Sequence, residues 1–148
     1  MGHRTMNLEM AATPASVYGL YTDAARLADW QDGIKNVSVT GPLDRVGSEV
    51  TIRYGWPFTV KGIVLAADAG VHHQERLKEM LGLVTCTTTA SFAPAGAGTA
   101  VTFDFDYLVA GGPIGRLFDG MVGGEIVGRF GKDSAKLKAL AEQQPGPG

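Results

Sequence analysis

The chain of 148 residues is long enough to bury a substantial core as one domain. Hydrophobic residues make up 45% of it and charged residues 19%, which excludes wholesale disorder. The formal net charge of -2 gives no electrostatic reason to expect a nucleic-acid partner. No apolar run is long enough for a membrane span, and the single cysteine, Cys86, cannot form an intrachain disulfide. We therefore expect a cytoplasmic protein.

The first part of the chain predicts one strand and two short helices. Residues 4–10 alternate between apolar and polar side chains, which indicates a strand. Thr13 is typical of a helix N-cap and Pro14 of the first helical position, so a helix should begin there. A second short helical piece is expected over residues 23–30, before a turn.

From residue 34 onward the apolar residues recur at every second position. Alternation covers residues 34–40, 49–54, 58–65 and 101–109, while 71–80 is a polar run and 83–92 is rich in β-branched residues and threonine. Glycine and proline lie between most of these segments, as is usual for antiparallel strands joined by short turns. The pattern predicts six more strands.

Residues 113–142 predict one long helix. Pro113 suits a first helical turn, and apolar residues follow at helical spacing. Glycines inside this pattern each cost about 1 kcal/mol relative to alanine, so packing against the sheet must hold the helix. The expected fold is α+β, with a seven-stranded antiparallel sheet wrapped around a long C-terminal helix. One domain over residues 1–142 should precede a disordered tail at 143–148.

Several local segments strengthen this expectation. They are the stretches 12–18, 23–30, 46–48, 98–102 and 137–142. Together with the element order they resemble the START-like SRPBCC superfamily, which has a helix-grip fold, and most closely its polyketide cyclase/dehydrase and lipid-transport branch. That superfamily includes ring cyclases, lipid and hormone carriers and co-chaperones, so the resemblance implies a fold more specifically than a function. No catalytic motif of the aromatic-polyketide cyclases aligns with this chain.

Glu125 is the most informative candidate for a functional group. A projection at helical spacing places it near the centre of an apolar stripe, with Arg129 one turn further on and toward the edge. The stripe consists of Ile114, Leu117, Phe118, Met121 and Val122. A carboxylate there would face the hollow of the sheet, where it could anchor a ligand or move a proton. The alternative is that the glycines turn the helix, so that Glu125 reaches water or only pairs with Arg129.

Aromatic side chains on the strands form a second candidate set. They either pack the core or line a hollow between sheet and helix, and an incompletely filled hollow is a default small-molecule site. Trp56 lies in a turn, where it either guards the mouth or folds back on the sheet. The expected ligand-binding residues are Tyr54, Trp56, Phe58, Phe103, Phe105, Tyr107, Phe118, Met121 and Glu125.

The histidines and the cysteine predict no further chemistry. His72 and His73 are adjacent on a strand, so they point to opposite faces and cannot chelate one ion together. Odd positions could bring His73 and Glu75 inward, but the polar run over 71–80 favours a solvated strand. Cys86 is expected to be a small buried residue. We expect no metal site and no cofactor.

These observations favour binding of a hydrophobic small molecule, such as a lipid, a polyketide or an aromatic metabolite, by a carrier, sequestering or biosynthetic accessory protein. One alternative is a polyketide cyclase or dehydratase, with Glu125 and Arg129 as catalytic candidates. Another is an interaction protein with a filled core. An internal volume too small for a drug-sized ligand, roughly below 300 Å³, would argue against both the binding and the cyclase hypotheses. The pattern of residues does not predict the ligand or the oligomeric state.

Overall fold

The computed structural model describes residues 2–55, 58–79 and 82–143 of the chain. Its strands are β1 (Gly2–Met10), β2 (Asn36–Val39), β3 (Glu49–Gly55), β4 (Phe58–Asp68), β5 (His72–Glu79), β6 (Val84–Ala95) and β7 (Gly98–Val109). The helices are α1 (Pro14–Tyr21), α2 (Leu27–Trp30) and α3 (Pro113–Gln143), with a 3₁₀ turn (Ala24–Arg26) before α2. This is the predicted α+β architecture, including the two short helices after the first strand.

The seven strands form one antiparallel sheet in the order β1-β7-β6-β5-β4-β3-β2. Strands β2 to β7 pair with their sequence neighbours through hairpins, whereas β1 returns to pair with β7, with Gly2 opposite Tyr107. An irregularity between Val64 and Ala66 interrupts the register of β4 against β5. Bulges of this kind increase local twist and help a sheet to curl.

Local sequence explains how α1 begins. The Thr13 side chain accepts a hydrogen bond from the Ser16 backbone N–H at 3.3 Å, and Pro14 is the first helical residue. Both features were predicted, because a cap needs a short polar side chain and the first turn needs no proline N–H. The helix buries Tyr18 and Tyr21 against the sheet.

The long helix α3 packs against β1, β7, α1 and α2. In its first half the buried positions are glycines. A Cβ added at Gly115 would lie 2.5 Å from the Val109 carbonyl oxygen, and one added at Gly123 would overlap the Tyr107 hydroxyl. Only glycine permits so close an approach of helix to sheet.

The predicted apolar stripe of α3 therefore faces the wrong way. Its large members are exposed, at 67%, 81%, 45% and 66% for Ile114, Leu117, Phe118 and Met121. The reason is that two glycines occupy the contact face, which leaves the bulky side chains on the outside. Over residues 126–143, called the second half of α3 from here on, the buried residues include Ile126 and Leu137.

Aromatic rings fill the core between the sheet and the second half of α3. The Phe130 ring meets Phe103 and Phe105 edge to face, with centroids 4.7 Å and 5.1 Å apart. Trp30 stacks on Tyr21 at 5.8 Å and meets Phe130 from the other side. Edge-to-face pairs of this kind add about 0.5–1.5 kcal/mol each beyond the area they bury.

No helix within the described ranges is long and apolar enough to cross a membrane. Gln143, predicted to begin the tail, is instead the last residue of α3. The rest of the predicted tail, residues 144–148, lies outside the described residues, and so does Trp56.

Candidate functional site: a pocket under the second half of α3

A partly enclosed pocket lies between strands β3 to β7 and the second half of α3, with α1 and α2 closing one side. About 90 Å³ of it is open to the centres of water molecules. This is several times the roughly 10–15 Å³ that one water needs, so the core is not completely filled. It is also below the roughly 300 Å³ at which drug-sized sites begin, which counts against both cavity hypotheses as the sequence suggested them and leaves room for a small ligand only.

Most of the pocket wall is apolar. Aliphatic side chains come from β3, β4, β5 and the loop before β3, and aromatic rings come from the short helices, β7 and α3. They are Leu43, Val50, Ile52, Val60, Leu77, Tyr21, Trp30, Phe105 and Phe130. Such a wall suits a hydrophobic ring or chain, whose burial contributes roughly 25 cal/mol per Å².

Strand β5 brings polar groups into this apolar wall. His73, Glu75 and Glu79 line the pocket at alternate positions, whereas Arg76 and Lys78 are exposed on the other face. The prediction of a solvated strand is therefore wrong for one of its two faces. The physical reason is that β5 pairs on both sides, with β4 and β6, so every second side chain must face the concave side of the sheet.

Glu75 is the unusual member of this group. Its side chain makes no hydrogen bond or ion pair with any residue that the structure describes. Part of the side chain is accessible to water, and because protein surrounds the residue on all sides, that part faces the pocket. Burial alone raises its pKa from 4.5 to about 7. A carboxyl group without a partner thus sits in the pocket and titrates near neutral pH.

Tyr21 faces the same space. The residue is 5% exposed and lines the pocket, and its hydroxyl has no hydrogen-bond partner within the described ranges. Burial, and next the neighbouring Glu75 carboxylate, hold the pKa of Tyr21 well above its ordinary value. The two groups thus line one pocket and the Glu75 charge acts on the Tyr21 hydroxyl, with no hydrogen bond between them.

A row of paired polar side chains closes the outer part of the pocket. The Arg129 Nη2 atom donates to Glu79 Oε1 at 2.6 Å. The Tyr54 hydroxyl donates to Gln31 Oε1 at 3.2 Å. Half of the Arg129 side chain is exposed against 14% of Glu79, so this pair stands at the boundary between pocket and solvent. Sequence reasoning missed Glu79, and the odd-numbered pattern of β5 was the signal that could have found it.

His73 is held as a neutral imidazole. Its Nε2 atom lies 2.7 Å from the Leu43 carbonyl oxygen, which can only accept, so Nε2 carries the proton. Burial lowers the pKa of the ring below its ordinary value. The Nδ1 atom of His73 and the Nε1 atom of Trp30 are both buried without a hydrogen-bond partner among the residues that the structure describes.

Cys86 is buried, as predicted, and lines the pocket. Burial raises the pKa of its thiol to about 11, so it is not ionised at neutral pH and is a poor nucleophile. Among residues 2–55, 58–79 and 82–143, no group of three or more His, Cys, Asp or Glu side chains could hold a metal ion.

The structure divides the predicted ligand-binding residues into three groups. Tyr54 and Phe105 line the pocket, as does the catalytic candidate Arg129. Phe103 and Tyr107 are fully packed core residues outside the pocket wall. The remaining described ones, Phe58, Phe118, Met121 and Glu125, are exposed.

Glu125 does not face the hollow; it is exposed to water, which agrees with the alternative interpretation and removes it from the expected site. It shares the outward side of α3 with the exposed apolar residues, because Gly123 and Ile126 take the inward positions. Arg129 pairs with Glu79 and not with Glu125. The geometry therefore gives Glu125 no part in proton transfer within the pocket, and Glu75 holds the carboxyl group that was expected there.

Comparison with known proteins supports the resemblance seen in the sequence. A family model described as "Polyketide cyclase / dehydrase and lipid transport" matches residues 1–142. No curated protein sequence matches the chain.

Solved structures share the fold. A truncated norcoclaurine synthase from Thalictrum flavum superposes with a TM-score of 0.75 at 18% identity, covering 97% of this chain and 95% of that chain. Protein CV1439 from Chromobacterium violaceum gives 0.70 at 18% identity, covering 96% and 98%. Protein Ms6760 from Mycobacterium smegmatis gives 0.70 at 15% identity, covering 97% and 92%. At these identities the likeness extends to the fold alone.

Proposed function

The chain belongs to the polyketide cyclase/dehydrase and lipid-transport family, and from this premise we propose that it binds a small hydrophobic molecule in the pocket under α3. The observation that carries the proposal is the pocket itself, an apolar and aromatic wall around an unpaired carboxyl group at Glu75. A buried polar group without a partner lowers stability, and such groups concentrate at binding and catalytic sites. We assign it the role of a cytoplasmic carrier or sequestering protein.

The size of the pocket limits the ligand. An open volume of about 90 Å³ is smaller than the engineered apolar cavity of about 150 Å³ that takes benzene, so the ligand is at most about one ring and enters with some movement of the wall. A lipid or a polyketide chain would fit only if the Arg129–Glu79 pair moved aside. The proposal is therefore narrower than the sequence prediction, which included those larger ligands.

Two experiments test the proposal. Native mass spectrometry of freshly purified protein should show a co-purified small molecule. In an NMR titration, benzyl alcohol should shift the backbone amides of β5 and of the second half of α3. Benzyl alcohol is a suitable probe because it is one apolar ring with one polar group.

A matched pair of variants assigns the binding to the pocket. Thr88 lines the pocket, whereas Thr87, its neighbour on β6, points to the opposite face of the sheet. Thr88→Phe should weaken benzyl alcohol binding at least tenfold, and Thr87→Phe should leave it unchanged within about twofold. Circular dichroism checks that both variants fold, since overpacking costs about 1–3 kcal/mol. Equal binding by both variants, or no amide shift in the wild type, would refute the proposed function.

A further inference from the structure

We infer that the pocket selects small apolar molecules that carry a protonated amine, with the ammonium group paired to the Glu75 carboxylate. This inference rests on the proposed function and adds the chemical class of the ligand. It depends on three features of the pocket: the missing partner of Glu75, the balance of charge around it, and the free hydroxyl beside it.

No cation in the described part of the chain pairs with Glu75. Among the lining residues that the structure describes, Arg129 is the one side chain with a permanent positive charge, and it is bonded to Glu79 at 2.6 Å. His73, two residues away on the same strand, is neutral at neutral pH because burial lowers the pKa of its ring. Nothing but burial contributes to the raised pKa of Glu75, so no charged neighbour stabilises its ionised form.

The other ionisable side chains around the pocket give each element a net charge that is negative or zero. Strand β5 contributes Glu79 beside Glu75, and α3 contributes Asp133 as well as Arg129. The titratable groups of the remaining elements are Tyr21 of α1, Tyr54 of β3 and Cys86 of β6. Burial holds the pKa of all three above the ordinary values, so they are neutral at neutral pH. With Glu75 ionised, the pocket is net negative and complements a cationic ligand.

The hydroxyl of Tyr21 completes the site. It lines the same pocket as Glu75, whose charge acts on it, and neither group makes a hydrogen bond to a described residue. An ammonium group has three donors, so it can donate to the carboxylate and to the hydroxyl oxygen at once. Charge-assisted hydrogen bonds of this kind are roughly twice as strong as neutral ones. The aromatic wall would then hold the apolar part of the ligand.

The inference includes a pH dependence of known sign. An ionised Glu75 is needed to pair with the ammonium group, and its pKa of about 7 means that about a tenth of the pockets are ionised at pH 6 and about nine-tenths at pH 8. An alkylamine remains protonated across this range. Affinity for the amine should therefore rise about tenfold between pH 6 and pH 8, and affinity for a neutral analogue should stay constant.

The test uses three probes of one shape, benzylamine, benzyl alcohol and benzoate, titrated by NMR at pH 8. Benzylamine should bind the wild type at least tenfold more tightly than benzyl alcohol, and benzoate should bind most weakly. In Glu75→Gln the preference for benzylamine over benzyl alcohol should fall to twofold or less, with benzyl alcohol binding retained. Glu125→Gln makes the same chemical change on the exposed face of α3 and should keep the preference.

The outcomes separate this inference from the proposed function. If benzyl alcohol binds as tightly as benzylamine, or if Glu75→Gln keeps the preference, the amine inference is overturned while the proposed function stands. If no probe binds the pocket, both are overturned. The pH series on the wild-type protein needs no variant, so the inference can be refuted even if Glu75→Gln fails to fold.

Discussion

Replacing Glu75 by glutamine should change how the stability of the protein depends on pH. The substitution keeps the size and shape of the side chain and removes its ionisable proton. Glu75 is half-buried in the pocket and has no partner within the described ranges, and burial raises its pKa from 4.5 to about 7. Ionising it in the folded protein therefore costs free energy that the unfolded chain, in water, does not lose.

The sign and size follow from proton linkage. Between pH 4.5 and pH 7 the folded state keeps the Glu75 proton while the unfolded state releases it, so the free energy of unfolding falls as pH rises through this window. One pKa unit corresponds to about 1.36 kcal/mol. The difference between 4.5 and about 7 therefore amounts to roughly 3 kcal/mol lost by the wild type. Glutamine does not titrate, so the variant loses none of it.

Urea unfolding followed by tryptophan fluorescence measures this effect. The difference in unfolding free energy, Glu75→Gln minus wild type, should grow by about 3 kcal/mol between pH 4 and pH 8. All other titrating groups are common to both proteins and cancel in this difference. Glu125→Gln controls for the change in overall charge. Stability curves that run parallel for wild type and Glu75→Gln would show that Glu75 is not buried without a partner, and would refute the reasoning.

Three further predictions test the core and the helix contact. Gly123→Ala should destabilise the protein by about 1–3 kcal/mol, since its Cβ would meet the Tyr107 ring. Gly124→Ala has open space around it and should stabilise the protein by up to about 1 kcal/mol. Thermal unfolding should rank the two on opposite sides of the wild type. Phe103→Ala removes a ring with 0% exposure and should cost about 3–5 kcal/mol in urea unfolding, while a loss below 1 kcal/mol would contradict its place in the core. Cys86 should resist iodoacetamide at pH 7.5 in the folded protein and react in urea, because the thiol is buried and un-ionised.

The sheet could be predicted from sequence because its signal is simple. Side chains on a strand alternate between two faces, and in β7 this placed Phe103 and Phe105 correctly on the inside. The start of α1 could be predicted equally well, because Thr13 is a favourable N-cap and Pro14 is favourable at the first helical position. In both cases the decisive information is local.

The face of α3 could not be read in this way. A hydrophobic projection gives weight to large apolar residues, yet the contact with β1 and β7 is made by Gly115 and Gly123, which carry no hydrophobic signal. The orientation is set by how closely two backbones approach, and that depends on residues far apart in sequence. The same limit applies to β5, where Glu75 and Glu79 face inward because the sheet curls around them.

The incorrect predictions for the face of α3 and for β5 have one structural cause, which also explains why the pocket exists. Because Gly115 and Gly123 let α3 lie close to β1 and β7, the helix axis is held toward that edge of the sheet. Strands β3 to β5 curl over from the other edge, and the side chains of α3 that face them are Ile126, Arg129 and Phe130. The space left between is the pocket, and the inward positions of β5 fall on it. The close glycine contact on one side thus leaves the cavity on the other. Glu75, a polar residue at an inward position of β5, borders that cavity and not the packed core.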